Sequence, residues 1–509
     1  MIAALTVPPR STPFIDPTLL ESYTSEGGLL TRQLDEVADR PIVLGIDPSI
    51  IASIRVLGTL APASATAWLE RLDATTNQTF PLAWADADLT LGLQAGSGDV
   101  LIPESFAYAI DPSLFSTAAV EPTPTPEPTE PPADDVIPPL PTNESLVAWD
   151  YTVPEISWPA MNSVTAKDLG KLSDFYGTVV LSSANTGATT VTAAHTVIDD
   201  ADALVADQTL STKFSLAVSA FSGADWEAAM ASLATSLAGV SSTEADPASV
   251  LIALDRGISL SDPDLGLTID ALAATPNVQV TGLAELLTTE SVTGTLVDAG
   301  HSESAVDNVK QMLVDERAVR AFAVIADDPS LITSERRLSL LTALSNSWSD
   351  DITGWATAVS DYHDSSVTLR NSVRIVKSSS ITLWADRASL PVTVTNELTQ
   401  PVTVYVTVRP LTPLLKIENS FVAVTVEPQS QRKASVPVQS LSNGIVELEI
   451  TLHTDTNAPI GDLTYVRTTV QAGWETPVTV GFGIAVVLVF AAGIIRTIRR
   501  RRRLRASEG

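Results

Sequence analysis

Four aspartates that directly follow short apolar runs are the residues of this sequence best suited to chemistry. Asp47 ends PIVLGID, Asp86 and Asp88 close FPLAWADAD, and Asp255 ends VLIALD. Loops after parallel strands converge on one mouth of an α/β domain, so we expect these carboxylates to lie close together there. Two carboxylates about 5 to 9 Å apart serve as acid and base in glycoside hydrolysis. Aspartate at such positions also caps helices and turns, and this structural interpretation stays open beside the catalytic one.

Metal and cofactor chemistry has few candidate ligands in this sequence. The histidines are His195, His301, His363 and His453, and no two of them have the spacing of a paired zinc site. Cysteine is absent, which excludes thiolate sites, and no GxxxxGK[ST], GxSxG or GxGxxG motif occurs. We therefore predict no metal and no cofactor. The tryptophans Trp68, Trp84, Trp158 and Trp226 suit either a sugar-binding platform or the core.

Length and charge indicate the general class of protein. The chain has 509 residues, which indicates two or more domains, and its formal net charge is −30. The tail after Ile495 holds seven arginines and one glutamate, so the preceding residues carry −36. Because such a body repels phosphate backbones, we expect no nucleic-acid partner.

An uncharged apolar run near the C-terminus predicts a transmembrane helix. The run begins with Val478, ends with Ile495 and has 18 residues, enough at about 1.5 Å each to cross most of a hydrocarbon core of about 30 Å. Arg496, Arg499 and five further arginines follow. Moving this cluster through lipid is very costly, so we predict a single-pass protein of the cell membrane with its C-terminus in the cytoplasm and its bulk outside. An outward body needs an export signal, which we expect upstream of Met1 together with a further domain.

Helix-like and strand-like patterns alternate in residues 1–117 and again in residues 142–300, the rhythm of a parallel sheet with connecting helices. The predicted helices include 29–38 and 166–175, and the predicted strands include 41–46, 80–84, 178–182, 214–218 and 250–254. Residues 118–141 are rich in proline and threonine and predict a disordered insertion. We interpret the two parts as one α/β barrel-like domain around this insertion. A linker between two smaller α/β domains is the alternative.

The last third of the chain changes its period twice. Residues 301–375 predict a helical segment, with Ser302 and Ser334 as expected N-caps. Between residues 380 and 472 apolar residues alternate with polar ones, as in PVTVYVTV and GIVELEITLH, which predicts about seven strands and a β-sandwich of immunoglobulin-like size. The transmembrane segment 478–495 and the basic tail 496–509 follow directly.

Several of these phrases together resemble a known family. LLTRQLDEVADRPIVLGIDPSIIASIRVLG, AWLERL, FPLAWADAD, LPVTVTNELTQPVTVYVTV and WETP before RTIRRRRR resemble an uncharacterised family of large actinobacterial envelope proteins. The resemblance implies an export signal, an N-terminal β domain, a barrel related to polysaccharide deacetylases, a β-sandwich and a terminal helix. It also implies a gene near those for export of lipid-linked cell-wall precursors, and it implies no particular activity.

Two classes of function follow from these observations. The first is a membrane-anchored cell-envelope protein that binds a cell-wall polymer or an envelope protein, with the lipid bilayer as its fixed partner. The alternative is a glycan-active hydrolase or deacetylase that acts on cell-wall polysaccharide through the aspartates named above.

Overall fold

The computed structural model describes residues 1–115, 140–188, 191, 193–240, 248–254, 256, 262, 264–377, 380–385, 387–471 and 475–505. The chain falls into two compact units: unit one comprises Met1–Val319 and Ser330–Ser366, and unit two comprises Arg320–Pro329 and Val367–Gly509. The predicted insertion 118–141 lies outside the described residues except for its last two, and Asp255 lies outside them as well.

Unit one combines helices with short strands, and strands dominate unit two. The helices are α1 (Pro17–Thr24), α2 (Leu29–Val37), α3 (Pro48–Arg55), α4 (Ala63–Asp73), α5 (Leu89–Gln94), α6 (Asn143–Val147), α7 (Ala166–Tyr176), α8 (Gln208–Val218), α9 (Gly223–Ala238), α10 (Asp264–Ala273), α11 (Leu283–Leu286), α12 (Glu303–Ala323), α13 (Pro329–Ala343), α14 (Ile352–Arg370) and α15 (Glu475–Arg505). The strands are β1 (Ile2–Leu5), β2 (Val43–Ile46), β3 (Thr79–Pro81), β4 (Ile156–Ser157), β5 (Thr178–Ser182), β6 (His195–Ile198), β7 (Ala201–Ala206), β8 (Val292–Thr293), β9 (Val373–Ile375), β10 (Ile381–Leu383), β11 (Arg387–Asn396), β12 (Val402–Pro410), β13 (Leu415–Ile417), β14 (Val422–Val426), β15 (Ser430–Ser440), β16 (Gly444–His453) and β17 (Pro459–Val470). Short 3₁₀ turns include Trp84–Asp86 and Asn346–Trp348.

Local sequence explains the elements that were predicted correctly. In α2, Leu30, Leu34 and Val37 recur at helical spacing and are buried. Helix α7 begins with a capping box in which Thr165 and Asp168 exchange hydrogen bonds. The helix ends at Gly177, whose φ of 88° is readily adopted by glycine. The predicted helices 29–38 and 166–175 and the predicted strands 41–46 and 178–182 are thereby confirmed.

The described residues of unit one form two sheets. Strands β1, β2 and β3 are parallel in that order, with Ala3 opposite Leu44 and Gly45 opposite Phe80. The second sheet has the order β4-β5-β7-β6-β8, in which β4, β5 and β7 are parallel and β6 runs antiparallel to β7. Single parallel bridges from Ile2 to Ala253 and from Ala206 to Leu251 place residues 251–253 between β1 and β7.

The mixed α/β class with several sheets is confirmed, whereas a closed parallel barrel is not shown. Strand β6 reverses direction, and in the described part of the chain residues 251–253 join their neighbours through isolated bridges, not continuous ladders. The predicted strand 214–218 is wrong, because these residues form the end of α8 with Phe214 and Val218 buried on one side. The predicted N-cap Ser334 is also wrong, since it lies buried inside α13.

One extensive core of unit one draws on residues from both sides of the proline-rich stretch. Leu5, Leu44 and Ile46 from the first sheet pack in one buried cluster with Phe214 from α8 and Ile252. Such burial contributes roughly 1.5–3 kcal/mol for each fully buried large apolar side chain. The strand ends of unit one are therefore supported by an extensive apolar layer.

Unit two contains a five-stranded sheet of order β10-β17-β16-β12-β14 and a four-stranded sheet of order β13-β15-β11-β9. Alternate residues of β12, from Val402 to Val408, are buried, and the residues between them are more exposed, as the period of two requires. Asn396 links the sheets, because its amide in β11 donates to the carbonyl of Val426 in β14 at 3.1 Å.

The chain ends in the long apolar helix α15. The stretch Thr479–Arg499 of this helix is long and apolar enough to cross a membrane. No residue of its most apolar 18-residue segment is buried. The helix is consistent with the predicted single-pass anchor, which began at Val478 and ended at Ile495. Arg496 and Arg499 lie within its last described turns.

Candidate functional site

The end of β2 is joined to the turn after β3 by the carboxylate of Asp47. Asp47 caps α3, whose first residue is Pro48, and Oδ1 accepts hydrogen bonds from the backbone N–H groups of Ser49 (2.8 Å) and Ala85 (2.9 Å). The Ser49 hydroxyl donates to Oδ2 at 2.7 Å, and Arg10 donates in turn to that hydroxyl at 2.6 Å. Asp47 is only 1% exposed. It thus acts as a structural cap and as a bridge between two strand ends.

Asp86 lies on a strained backbone turn. Ala85 and Asp86 have φ values of 55° and 49°, which residues with a Cβ adopt at a cost. The hydrogen bond from the Ala85 N–H to Asp47 holds one side of this turn, and the Asn346 amide holds the other by donating to the Asp86 carbonyl at 2.9 Å. Two such residues in sequence indicate a conformation imposed by the surrounding structure.

The carboxylate of Asp86 forms a buried ion pair with Arg256. The guanidinium Nε lies 2.7 Å from Oδ2, and both side chains are less than a tenth exposed. Arg256 also donates from Nη2 to the carbonyl of Trp158 at 2.5 Å, and its guanidinium carbon lies 4.2 Å from the centre of the Trp158 ring. The ion pair thereby connects the turn after β3 with the segment after β4.

Burial sets the protonation of this strand-end cluster, defined as Asp47, Asp86, Arg256 and Arg10. Burial raises the pKa of Asp86 to about 6, against the lowering effect of Arg256, and the nearby Asp47 charge raises it further. Burial likewise raises the pKa of Asp47 against the attraction of Arg10. The pKa of Arg10 is lowered by burial, although the Asp47 charge acts in the opposite direction.

Asp88 belongs to a different set of contacts. It caps α5 by accepting from the N–H groups of Thr90 and Leu91 at 3.1 and 3.2 Å, and its Oδ2 lies 3.0 Å from Nε2 of His301. Burial would raise the pKa of Asp88, but its bonds with His301 and Thr90 outweigh this effect and lower it. The pKa of His301 is raised, because the Asp88 carboxylate outweighs desolvation.

The histidines lie apart, as their spacing indicated. His195 bonds Asp202 at 2.7 Å, His301 pairs with Asp88, His363 bonds Asp315 at 2.8 Å, and His453 lies in β16 of unit two. In the described ranges no group of three or more histidine, aspartate or glutamate side chains is arranged to hold a metal ion. The zinc deacetylase arrangement is therefore not seen in the described residues.

Solvent access limits what the strand-end cluster can do. Asp47 and Asp86 are 1% and 2% exposed, and neither lines the cavity of about 250 Å³ that lies beside β6 and β8. Three buried polar atoms near the cluster, Nε of Arg10, Nε1 of Trp84 and the Tyr151 hydroxyl, have no hydrogen-bond partner among the described residues. The arrangement fixes the end of β2 to the turn after β3 and holds it away from solvent.

Asp47 directly follows β2, whereas Asp86 and Asp88 lie five and seven residues beyond β3, because β3 ends at Pro81 and not at Trp84 as predicted. Most partners of these carboxylates could not be predicted from the sequence. Asp47 is linked to the turn that carries Asp86 through the N–H of Ala85, whereas Asp88 pairs with His301. Arg256, which follows Asp255 in the sequence, pairs with Asp86. No sequence pattern predicted that Arg10 and Asn346 contact this site, because both lie far from these aspartates in the sequence.

Fold and site together define a mixed α/β protein with buried carboxylates at its strand ends, a β-rich unit and a candidate C-terminal membrane helix. A family of unknown function, DUF6049, matches residues 14–508, and the protein belongs to that family. Comparison with curated proteins gives no match.

Solved structures show limited similarity to the chain. They include a fragment of native alpha-2-macroglobulin from Escherichia coli (18% identity, 20% of this chain, 16% of that chain, TM-score 0.16), SSP-19 from Caenorhabditis elegans (14% identity, 18% of this chain, 94% of that chain, TM-score 0.15) and PapD-like domain 7 of human CEP192 (13% identity, 20% of this chain, 85% of that chain, TM-score 0.16). This chain thus spans 16% of the E. coli fragment and 7% of the E. coli protein in its native conformation. At these TM-scores the similarities carry no argument about function.

Proposed function

We propose that this protein is a single-pass membrane protein of the cell envelope, with its acidic body outside and its arginine-rich tail in the cytoplasm. The observation that carries the proposal is α15, whose stretch Thr479–Arg499 is long and apolar enough to cross a membrane, ends with Arg496 and Arg499 and is followed by further arginines. The cost of moving those arginines through lipid favours this orientation.

We further propose that unit one is a barrel-like module that binds a cell-wall polymer or an envelope protein without cleaving it, and that unit two is an immunoglobulin-like spacer. The bridges of residues 251–253 to β1 and β7 support a barrel-like arrangement of the strands. The bonds of Asp47 and Asp88 support a structural role, because both carboxylates are buried caps with several donors each.

The orientation is tested with single cysteines, because the natural chain has none. Asp455→Cys, on an exposed turn of unit two, should react with a membrane-impermeant maleimide on intact cells. Ser507→Cys, in the arginine-rich tail, should react only after permeabilisation. Labelling of Ser507→Cys on intact cells, with Asp455→Cys protected, would overturn the proposed orientation.

A second candidate function, glycan hydrolysis, is favoured by one observation. Burial raises the pKa of Asp86 to about 6, in the range of a general acid near neutral pH, and the Asp47 charge acts in the same direction. Asp47 would then serve as the base or nucleophile. This candidate requires the buried cluster to become accessible to a sugar chain.

The two candidates are separated by turnover measurements on the full-length protein in detergent. The protein is incubated with peptidoglycan and with wall polysaccharide, and released reducing ends and acetate are measured by mass spectrometry. Turnover that Asp47→Asn and Asp86→Asn abolish would establish the hydrolase, with Asp111→Asn, an exposed cap in the same unit, as matched control. Co-sedimentation with the polymer in the absence of turnover supports the binding module.

A further inference from the structure

One end of unit two is where the chain leaves the β-sheets for α15. The last residue of β17, Val470, pairs with Leu383 of β10 and with Gly444 of β16. The Gln471 N–H donates to the Leu383 carbonyl at 2.8 Å, and the Ser440 hydroxyl donates to the Ala385 carbonyl at 2.9 Å. These bonds bring the end of β10, the turn after β15 and the start of β16 together; we name this the exit end of unit two.

Large apolar side chains are exposed at the exit end. Trp384 is 72% exposed, Ile445 69% and Leu441 52%. Trp384 directly follows β10 and Ile445 lies in β16, so they lie on the two strands that flank the end of β17. Exposed apolar side chains gathered at one end of a sheet are typical of a surface that contacts an apolar partner.

The opposite end of unit two differs in this respect. It comprises residues 396–402, 427–430 and 453–459, which β11, β12, β14, β15, β16 and β17 place together. No large hydrophobic residue among these described positions is exposed, and Leu398 and Val402 are buried. Elsewhere in unit two Val324, Leu463 and Tyr465 are 52%, 43% and 57% exposed, so the exit end differs from the opposite turns by its exposed tryptophan and not by apolar exposure alone.

Chain length restricts where the exit end lies. Three residues separate Gln471 from Glu475, the first residue of α15, so the two Cα atoms are at most about 14 Å apart. The apolar stretch of α15 begins at Thr479, about one helical turn later. If that stretch lies in the hydrocarbon core, the exit end is within reach of the headgroup layer, where tryptophan side chains are favoured.

We propose that the exit end of unit two, marked by Trp384, Leu441 and Ile445, rests in the outer headgroup layer of the lipid bilayer. This inference depends on the proposed membrane anchor. Contact with lipid covers the exposed apolar side chains of the exit end. The occupant is a lipid surface and not a second protein, because the same chain enters the bilayer a few residues away.

The test uses the full-length protein in nanodiscs of phosphatidylcholine and phosphatidylglycerol, with one spin label at a time. Ser442→Cys places the label on the exposed turn between β15 and β16, and Asp455→Cys places it on the turn between β16 and β17. Ten residues of β16 separate these turns, or about 30 Å along the strand. Both substitutions lie on exposed turns and leave the proposed contact residues in place.

Collision of the label with lipid-soluble oxygen is compared with collision with a water-soluble nickel complex. We expect oxygen to predominate at Ser442→Cys and nickel to predominate at Asp455→Cys. A second variant that adds Trp384→Ser and Ile445→Ser to Ser442→Cys should shift that label toward nickel while the protein remains in the nanodisc.

Three results would overturn the proposal. Predominance of nickel at both sites, in protein that is firmly inserted, would show that the exit end stands in water and would leave the anchor intact. Spin–spin broadening at Ser442→Cys would show that a second copy covers the surface. Failure of the protein to float with vesicles would refute the membrane anchor itself. Flotation is measured independently of the spin label, so this outcome is distinguishable from the other two.

Discussion

Replacing Arg256 with methionine leaves the buried Asp86 carboxylate without its cation. In the native protein Nε of Arg256 lies 2.7 Å from Oδ2 of Asp86, and both side chains are almost completely enclosed. Breaking a buried pair by removing one partner costs about 3–5 kcal/mol, because the remaining charge stays buried. We therefore expect Arg256→Met to lower the free energy of unfolding of unit one by about this amount at pH 8.

The pH dependence of this loss follows from the pKa of Asp86. That pKa is about 6, against an ordinary value of 3.8, which corresponds to about 3 kcal/mol between the two protonation states. The pKa of Asp86 is higher in the folded protein than in the unfolded chain, so protonation of Asp86 stabilises the folded protein. This stabilisation is complete below pH 3.8 and is lost as the pH rises through 6. Without Arg256 the pKa of Asp86 rises further, so at pH 5 the carboxyl is neutral and the loss should fall to about 1 kcal/mol.

The free energy of unfolding is measured by urea unfolding of the full-length protein in detergent micelles. Hydrogen exchange, followed by mass spectrometry in peptides that cover β2 and β3, reports the local stability of the strand ends. The double variant Asp86→Leu/Arg256→Met should recover most of the stability, since replacing both members of a buried pair by apolar side chains is often neutral. A loss that is equal at pH 5 and pH 8, or a double variant no more stable than Arg256→Met, would refute the reasoning.

Three further predictions concern other contacts. His301→Gln removes a partner of Asp88 and should lower the stability of unit one by about 1–3 kcal/mol at pH 5.5. Because the pKa of His301 is raised in the folded protein, the stability difference between variant and native protein should vanish as the pH rises through the folded pKa of His301. Gly45→Ala would place a Cβ 2.8 Å from the Phe80 ring, and we expect a loss of about 1–3 kcal/mol in thermal or urea unfolding. Arg409→Gln removes an ion pair between β12 and β16 in which the Arg409 side chain is 67% exposed and Glu449 18%. It should change stability in urea unfolding by less than about 1 kcal/mol, and a larger loss would contradict a surface pair screened by solvent.

The elements that the sequence predicted well are those whose own residues determine the pattern. Helix α2 has an apolar stripe at a period near 3.6, and β12 alternates with a period of two, so each can be identified without knowing its neighbours. The five residues FSLAV in α8 are too short a run to distinguish a buried strand from a buried helix. Their helical character depends on Asp207, which caps α8 by accepting from the N–H of Leu210.

Other elements depend on contacts that no local pattern carries. Strand β7 has the sequence ADALVA, poor in β-branched residues, and it becomes a strand because β5 and β6 pair with it on either side. Strand β1 has only four residues, and its parallel ladder with β2 depends on residues about forty positions later. Such pairings are decided by tertiary structure, which explains why the sequence did not reveal them.

The strand-end aspartates show why position alone does not separate chemistry from structure. A cap and a catalytic carboxylate both require an aspartate where a strand meets the following turn, so the sequence supports both roles equally. The hydrogen bonds that each aspartate side chain makes in the structure distinguish the cap role from the catalytic role. Asp47 accepts three hydrogen bonds and Asp88 accepts several besides its pair with His301, which leaves little capacity for a substrate.

Asp86 is the remaining candidate, and its burial sets a condition on any chemistry. At 2% exposure it can reach a sugar chain only if the strand-end cluster opens, and opening must separate it from Arg256. Separation of that pair costs several kcal/mol, so a catalytic role demands substrate contacts strong enough to offset this cost. The intact ion pair, in contrast, holds the turn after β3 to the segment after β4 without any opening.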